Sequence, residues 1–225
     1  MKSEAALGTE SVHDDISQNI QLDGDDKMKA FNIHTMDTAP AGSKAALEGV
    51  QQKIGFIPNV FATIAESTEA LEGFIALNGA FGESSLSPEE QQIIMLATST
   101  ENNCVYCVAG HTAFAYQIDM AEQDIEAMRN MTPLANKKLQ ALNNIVRQMV
   151  KQRGRISEED ISSFLAVGYT KKQFFEVVTG VCVKTFSNYV SIGLDLTLDD
   201  VFKAFAWEGK DASSEAETNR NSRTA

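Results

Sequence analysis

The sequence is poor in the residues that most site chemistry draws on. Its 225 residues hold only three cysteines, three histidines and one tryptophan. So few cysteines, and an odd number of them, do not make an extracellular disulfide framework. No apolar run approaches the roughly 20 residues that span a bilayer. Residues 1–27 lack the basic-then-apolar order of a secretory signal. Basic charge is short as well: 19 Lys and Arg stand against 31 Asp and Glu, a net charge of −12. With no Lys/Arg cluster to offset it, that balance argues against nucleic acid and anionic membranes as partners. These absences make the cytoplasm the expected compartment.

What is present is helical punctuation. Hydrophobic residues make up 43% of the chain, enough for one sizeable core. Residues 1–27 are acidic and aperiodic and read as a disordered or loosely docked arm, in which His13 has no role. Residues 28–207 read as one helical domain and residues 208–225 as a disordered polar tail. His34 stands alone and reads as a surface or satisfied histidine. Apolar residues at 3–4 residue spacing predict helices from Ser43 to Ile54 and, after Pro58, from Asn59 to Ala65. A further helix from Ser67 to Phe81 carries the stripe Leu71, Phe74, Ile75 and Leu77. Ser87-Pro-Glu-Glu90 is a capping box that starts a helix through Ile93 to Leu96. Later helices are expected near Ala121 to Met128, from Leu134 to Gln152 with Gly154 as its stop, after Ser157, and after Thr170. Phe174, Phe175, Val177, Val178 and Val181 form the apolar run of the last one. Asp199 to Trp207 adds a final turn. The fold class is all-α.

The chemistry concentrates in Glu101-Asn-Asn-Cys104-Val-Tyr-Cys107-Val-Ala-Gly-His111. Asn102 and Asn103 are good N-caps, so a helix is predicted to begin beside Cys104. Cys104, Cys107 and His111 then share a face at i, i+3 and i+7. A helix N-terminus favours thiolate over thiol, and an imidazole one turn on can carry a proton. Packing alone would explain a lone cysteine, and Cys182, amid Val181, Val183 and Phe186, is read as a small buried hydrophobe. Metal binding is the second reading of the trio, but three ligands on two turns of one helix fit a tetrahedron badly, and no second pair completes a zinc site. Thiol redox chemistry needs nothing further from the chain: one thiolate attacks, the other thiol resolves. Cys104 lies nearer the helix start, whereas Cys107 is the i, i+4 neighbour of His111, and the second placing favours Cys107 as the deprotonated thiol.

Leu86-Ser-Pro-Glu-Glu-Gln-Gln92-Ile-Ile-Met-Leu together with the cysteine stretch resembles the core of the carboxymuconolactone decarboxylase superfamily, in its alkylhydroperoxidase D-like, peroxidase-related branch. Gly168-Tyr-Thr, Phe174-Phe-Glu-Val-Val178 and Ser187-Asn188-Tyr189 resemble its second half more loosely, so Met28 to about Trp207 is covered. The resemblance implies a multi-helix bundle, homo-oligomers (trimers or hexamers) and peroxide reduction through the Cys-x-x-Cys pair. It also implies a relay glutamate twelve residues before the first cysteine, where this chain has Gln92. An amide cannot accept a proton, so the relay ends at His111 or recruits Glu89, Glu90 or Glu101, each of which has an alternative duty in capping or on a helix surface. Tyr106 stands where some relatives carry a histidine.

The expectation is therefore a thiol-dependent hydroperoxide reductase with Cys104, Cys107, His111 and Gln92 at its site, no cofactor and no metal. Its partners would be a hydroperoxide substrate, a dithiol reductant of unknown identity and further copies of itself. A redox-sensing or assembly protein that does not turn over is the alternative of another class. A cofactor-free decarboxylase-type lyase is the third reading, weakened because that activity does not rest on a Cys-x-x-Cys.

Overall fold

Helix starts and stops follow the punctuating residues closely. The computed structural model describes residues 31–210, and every regular element among them is helical. The chain runs through α1 (Lys44–Ile54), α2 (Asn59–Ile64), α3 (Thr68–Gly82), α4 (Pro88–Glu101), α5 (Val105–Gln117), α6 (Glu122–Arg129), α7 (Lys137–Lys151), α8 (Glu158–Ala166) and α9 (Lys171–Gly193). Turns of 3₁₀ type lie at Ala41–Ser43 and Asp200–Phe205. The acidic arm, His13 and the tail beyond residue 210 fall outside the described residues.

Ser87 and Thr170 open α4 and α9 through reciprocal bonds with Glu90 and Gln173, both of them capping boxes. Gly154 takes a φ of +84° just past α7, a left-handed position that suits glycine. Pro58 is the N-cap of α2, which starts at Asn59 as expected. One start differs from expectation. The helix expected from Leu134 begins at Lys137, because the Asn136 side chain accepts from the N–H groups of Lys138 and Leu139. On α3, Leu71 and Phe74 are buried as expected, but Leu77 is exposed and Phe81 faces the core instead.

At the centre lies α4, packed against α5, α7 and α9 and buried along residues 93–100. Burying Ile93, Ile94 and Leu96 contributes on the order of 1.5–3 kcal/mol each. The hydroxyls on the same helix cost little, since Thr98 and Thr100 donate back to the carbonyls of Ile94 and Leu96. Helix α9 comes in very close at Gly180, where an added Cβ would stand 2.5 Å from the Phe81 ring and 2.9 Å from Ile94. Only glycine permits that approach, which carries the rest of α9 toward the cysteine helix.

The turn at Asp200–Phe205 straps across α5. Phe202 is buried against Gly110 and makes edge contacts with Phe56, Tyr106 and Phe114. Arg129 donates to the carbonyls of Phe205 and Ala206 and thereby ties the strap to α6. His34 is a satisfied histidine, its ring between Glu66 at 2.7 Å and Thr38 at 3.4 Å. Among the described residues, no helix is long and apolar enough to cross a membrane.

Candidate active site

The cysteines sit in the corner between α4 and α5, built differently from the capping expected there. Asn102 closes α4 instead of opening α5, and its amide donates to Asn188 Oδ1 on α9 at 2.9 Å. Asn103 turns the corner with a φ of +57°, a conformation that asparagine tolerates better than most residues. Cys104 itself is the N-cap of α5, without a side-chain cap bond. Cys107 follows in the first turn, where unpaired backbone N–H groups favour negative charge.

Both thiols are buried, Cys104 to 1% exposure and Cys107 to 3%. They are near each other and not bonded. Burial alone would push the Cys107 thiol up. The hydrogen bond from Cys104, the Lys184 charge, and bonds from Asn188 and Ser191 outweigh it, so Cys107 is held well below the usual thiol range. The hydrogen bond with Cys107 and burial push Cys104 the other way. Ser191 and Ser187 place their hydroxyl oxygens 3.8 and 3.9 Å from the Cys107 sulfur. The two shifts run in opposite directions and favour Cys107 over Cys104 as the thiolate.

His111 lies between Gln92 and a residue that the sequence reading missed. Its Nδ1 is 2.9 Å from Gln92 Oε1, and its Nε2 is 2.8 Å from the ammonium of Lys184. An ammonium only donates, so Nε2 must accept, and the ring proton sits on Nδ1 facing the Gln92 oxygen. Burial and the Lys184 charge hold His111 well below the ordinary histidine range, which leaves it neutral at physiological pH. Neither thiol is among its hydrogen-bond partners, in contrast to the direct proton exchange with Cys107 expected from the i, i+4 spacing.

Gln92 thus meets the imidazole at the position that the resemblance assigned to a relay residue, while two of the carboxylates named as substitutes have other partners. Glu90 is engaged in its capping box and with Lys138. Glu101 is ringed by Arg147, Lys151 and Lys210. Lys184 belongs to the buried stripe of α9, in phase with Val177, Val181, Asn188 and Ser191. A lysine where that stripe calls for an apolar side chain was the signal available in the sequence. By the same periodicity Cys182 faces outward and is exposed, which corrects its reading as a buried hydrophobe. Phe175, on that outer face, is exposed as well.

Cys107, His111 and Lys184 converge on a cavity of about 100 Å³ whose other walls are largely aromatic: Phe61, Phe74, Tyr106, Phe114 and Phe202. A second cavity, of about 240 Å³, shares His111 and Phe114 and reaches Gln92. Tyr106 is pinned by donating to Asp199 and accepting from the Val60 N–H, and burial, then the Asp199 bond, push its phenol up. It is wall, not base. Among the described residues, no group of three His, Cys, Asp or Glu side chains is placed to hold a metal ion.

Residues 68–147 match the model of the Carboxymuconolactone decarboxylase family. Among solved structures, it is similar to an uncharacterized peroxidase-related protein of Ralstonia eutropha JMP134, an alkylhydroperoxidase AhpD core, with a TM-score of 0.69 and 22% identity over 76% of this chain and 93% of that one. A peroxidase-related protein of Silicibacter sp. TM1040 aligns with a TM-score of 0.65 and 24% identity over 75% and 91% of the two chains. The debrominase Bmp8, in complex with 2,3,4-tribromopyrrole, aligns at 0.64 and 15% over 73% and 89%. At these identities the likeness is one of fold, an alkylhydroperoxidase D-like helical fold. No curated protein matches the sequence.

Proposed function

We propose that this protein is a member of the carboxymuconolactone decarboxylase superfamily that acts as a thiol-dependent reductase of hydroperoxides. The observation that carries the reading is the asymmetry of the dithiol: a stabilised thiolate at Cys107, a protonated thiol at Cys104, and a cavity at the thiolate. The Cys107 thiolate attacks the terminal peroxide oxygen, the O–O bond breaks, and the leaving alkoxide takes a proton to become the alcohol. Cys107 is then a sulfenic acid. The Cys104 thiol attacks its sulfur, water leaves, and a disulfide closes across one helical turn. An external dithiol reductant returns the pair to its starting state by exchange, in a reducing compartment such as the cytoplasm. The trimer or hexamer belongs to the same proposal. The exposed face of α9 with Phe175, Phe186 and Tyr189 suits it, and sedimentation tests it.

The test is peroxide-dependent consumption of dithiothreitol by the reduced protein. Cys107→Ser is expected to abolish it, and Cys104→Ser to stop after one turnover with a sulfenic acid that dimedone traps. Absence of turnover in the unaltered protein overturns the reading and leaves a non-catalytic redox sensor. The pH dependence has a defined sign. A depressed thiol pKa means that the thiolate is complete above that pKa and is lost only as pH falls through it. Alkylation of Cys107 by iodoacetamide should therefore be flat across neutrality, where an ordinary thiol of pKa near about 8.5 still climbs steeply. A second reading, reductive dehalogenation, draws on the aromatic cavity walls and the likeness to a debrominase. The same dithiol would supply two electrons to a carbon–bromine bond, yielding a disulfide, bromide and a C–H bond. Bromide release from a brominated pyrrole separates the two.

A further inference from the structure

We propose that Lys184, not His111, is the acid of the peroxide step: its ammonium faces the cavity it shares with Cys107 and protonates the leaving oxygen. The inference rests on the peroxide-reductase reading and assigns within it a proton that the sequence had given to the histidine.

Three features of the site lead there. Lys184 is 7% exposed, and no carboxylate among the described residues pairs with it. A cation is buried only against an anion, and the anion available is the Cys107 sulfur facing the same cavity. His111, meanwhile, has no proton on its cavity side. Its Nε2 is taken by Lys184, and its one N–H points at Gln92. The imidazole therefore acts as a holder: it fixes one of the three ammonium hydrogens and leaves two for the cavity. Gln92 suits this arrangement better than a glutamate would, since a carboxylate at Nδ1 would draw a second proton onto the ring and turn Nε2 into a donor opposed to the ammonium.

The proton inventory closes without solvent. Before reaction the site holds a thiolate, a thiol and an ammonium. Thiolate attack moves negative charge onto the departing alkoxide, which takes a proton from Lys184 and leaves as the alcohol. Cys104 then condenses with the sulfenic acid and releases water. A disulfide and a neutral amine remain, so no uncompensated charge is stranded in the cavity. When a dithiol reductant reopens the disulfide, one of its two protons goes to Cys104 and the other to Lys184, which restores the thiolate–ammonium pair. The other titratable groups at the cavity are Tyr106 and His111, both on α5. The walls contributed by α2, α3 and α4 are Val60, Phe61, Phe74, Asn78 and Met95, none of them charged.

The test uses full-length reduced protein and the variants Lys184→Met and Lys184→Arg, with Lys184→Gln in reserve should the methionine variant be insoluble. First, iodoacetamide titration of Cys107 should move upward by a pH unit or more in Lys184→Met and much less in Lys184→Arg. Second, single-turnover oxidation is measured at a pH where Cys107 is fully ionised in each protein. With tert-butyl hydroperoxide, whose leaving alkoxide needs a proton, Lys184→Met should be slower by about 10²–10⁴-fold. With a peroxycarboxylic acid, whose carboxylate leaves without one, the loss should shrink to within about 10-fold. Equal losses with both oxidants, or a Cys107 titration that does not move, overturn the proposal. If the unaltered protein consumes no peroxide, the functional reading fails by itself, and the alkylation titration still decides whether Lys184 is the counter-charge of Cys107.

Discussion

Glu101 closes α4 three residues before Cys104, and Lys184 faces the cavity at Cys107. Both are buried charges beside the dithiol, yet their surroundings are opposite in kind. Glu101 keeps its side chain 7% exposed and is met by Arg147 at 3.1 Å, Lys210 at 3.3 Å and Lys151 at 3.8 Å. Lys184 has an imidazole and a thiol for company. A carboxylate held by three cations is fixed in place, so it anchors the end of α4 and the start of the corner. An ammonium whose only nearby anion among the described residues is a sulfur is coupled to everything that happens to that sulfur. Charge that is matched holds the fold, and charge left for a thiol to match is what the proposed chemistry draws on.

Removing each charge in turn puts that contrast to work. Glu101→Gln leaves the Arg147 guanidinium, its side chain 12% exposed, without its carboxylate. It is expected to cost about 3–5 kcal/mol in urea unfolding. Lys184→Met should change stability by less than about 1 kcal/mol, because Cys107 simply takes up a proton when its counter-charge goes. Equal losses from the two substitutions would break the comparison. Gly180→Ala acts through distance: its methyl group would meet Phe81 and Ile94 and push α9 outward. About 1–3 kcal/mol should be lost, and Cys107 alkylation should shift to higher pH as Lys184 withdraws. A stability loss with no shift would show that the lysine does not depend on the close approach. The smallest effect belongs to Lys151→Ala, whose side chain is 51% exposed. It should cost no more than about 0.5 kcal/mol and vanish in high salt, since the buried guanidinium carries the Glu101 pairing.

Local signals made most of the fold readable in advance. Ser87 with Glu90, Thr170 with Gln173 and Gly154 each act within four residues, and each stands where its chemistry placed it. The cysteine stretch and Gln92 were legible for the same reason, together with the family pattern. Lys184 was not, because its meaning comes from a helix that reaches His111 across 73 residues of chain. Its only local trace is a charge in an apolar stripe. Cys182 and Phe175 went astray through a simpler cause. Both stand in an apolar run, and the 3.6-residue period puts Val177, Val181 and Lys184 inward and these two residues outward. The corner was misassigned because two asparagines in a row fit an N-cap equally well. Backbone geometry gave one to the end of α4 and the other to a left-handed turn.

The strap of Asp199 and Phe202 has a consequence for how the protein is made. Asp199 reaches Tyr106 from 93 residues further along the chain, and Phe202 closes the wall over Gly110. During synthesis the two thiols therefore emerge from the ribosome long before their enclosure exists. A newborn chain carries a bare, unguarded dithiol until the turn at Asp200–Phe205 has folded back, so oxidative damage to this protein should fall most heavily on molecules still being translated.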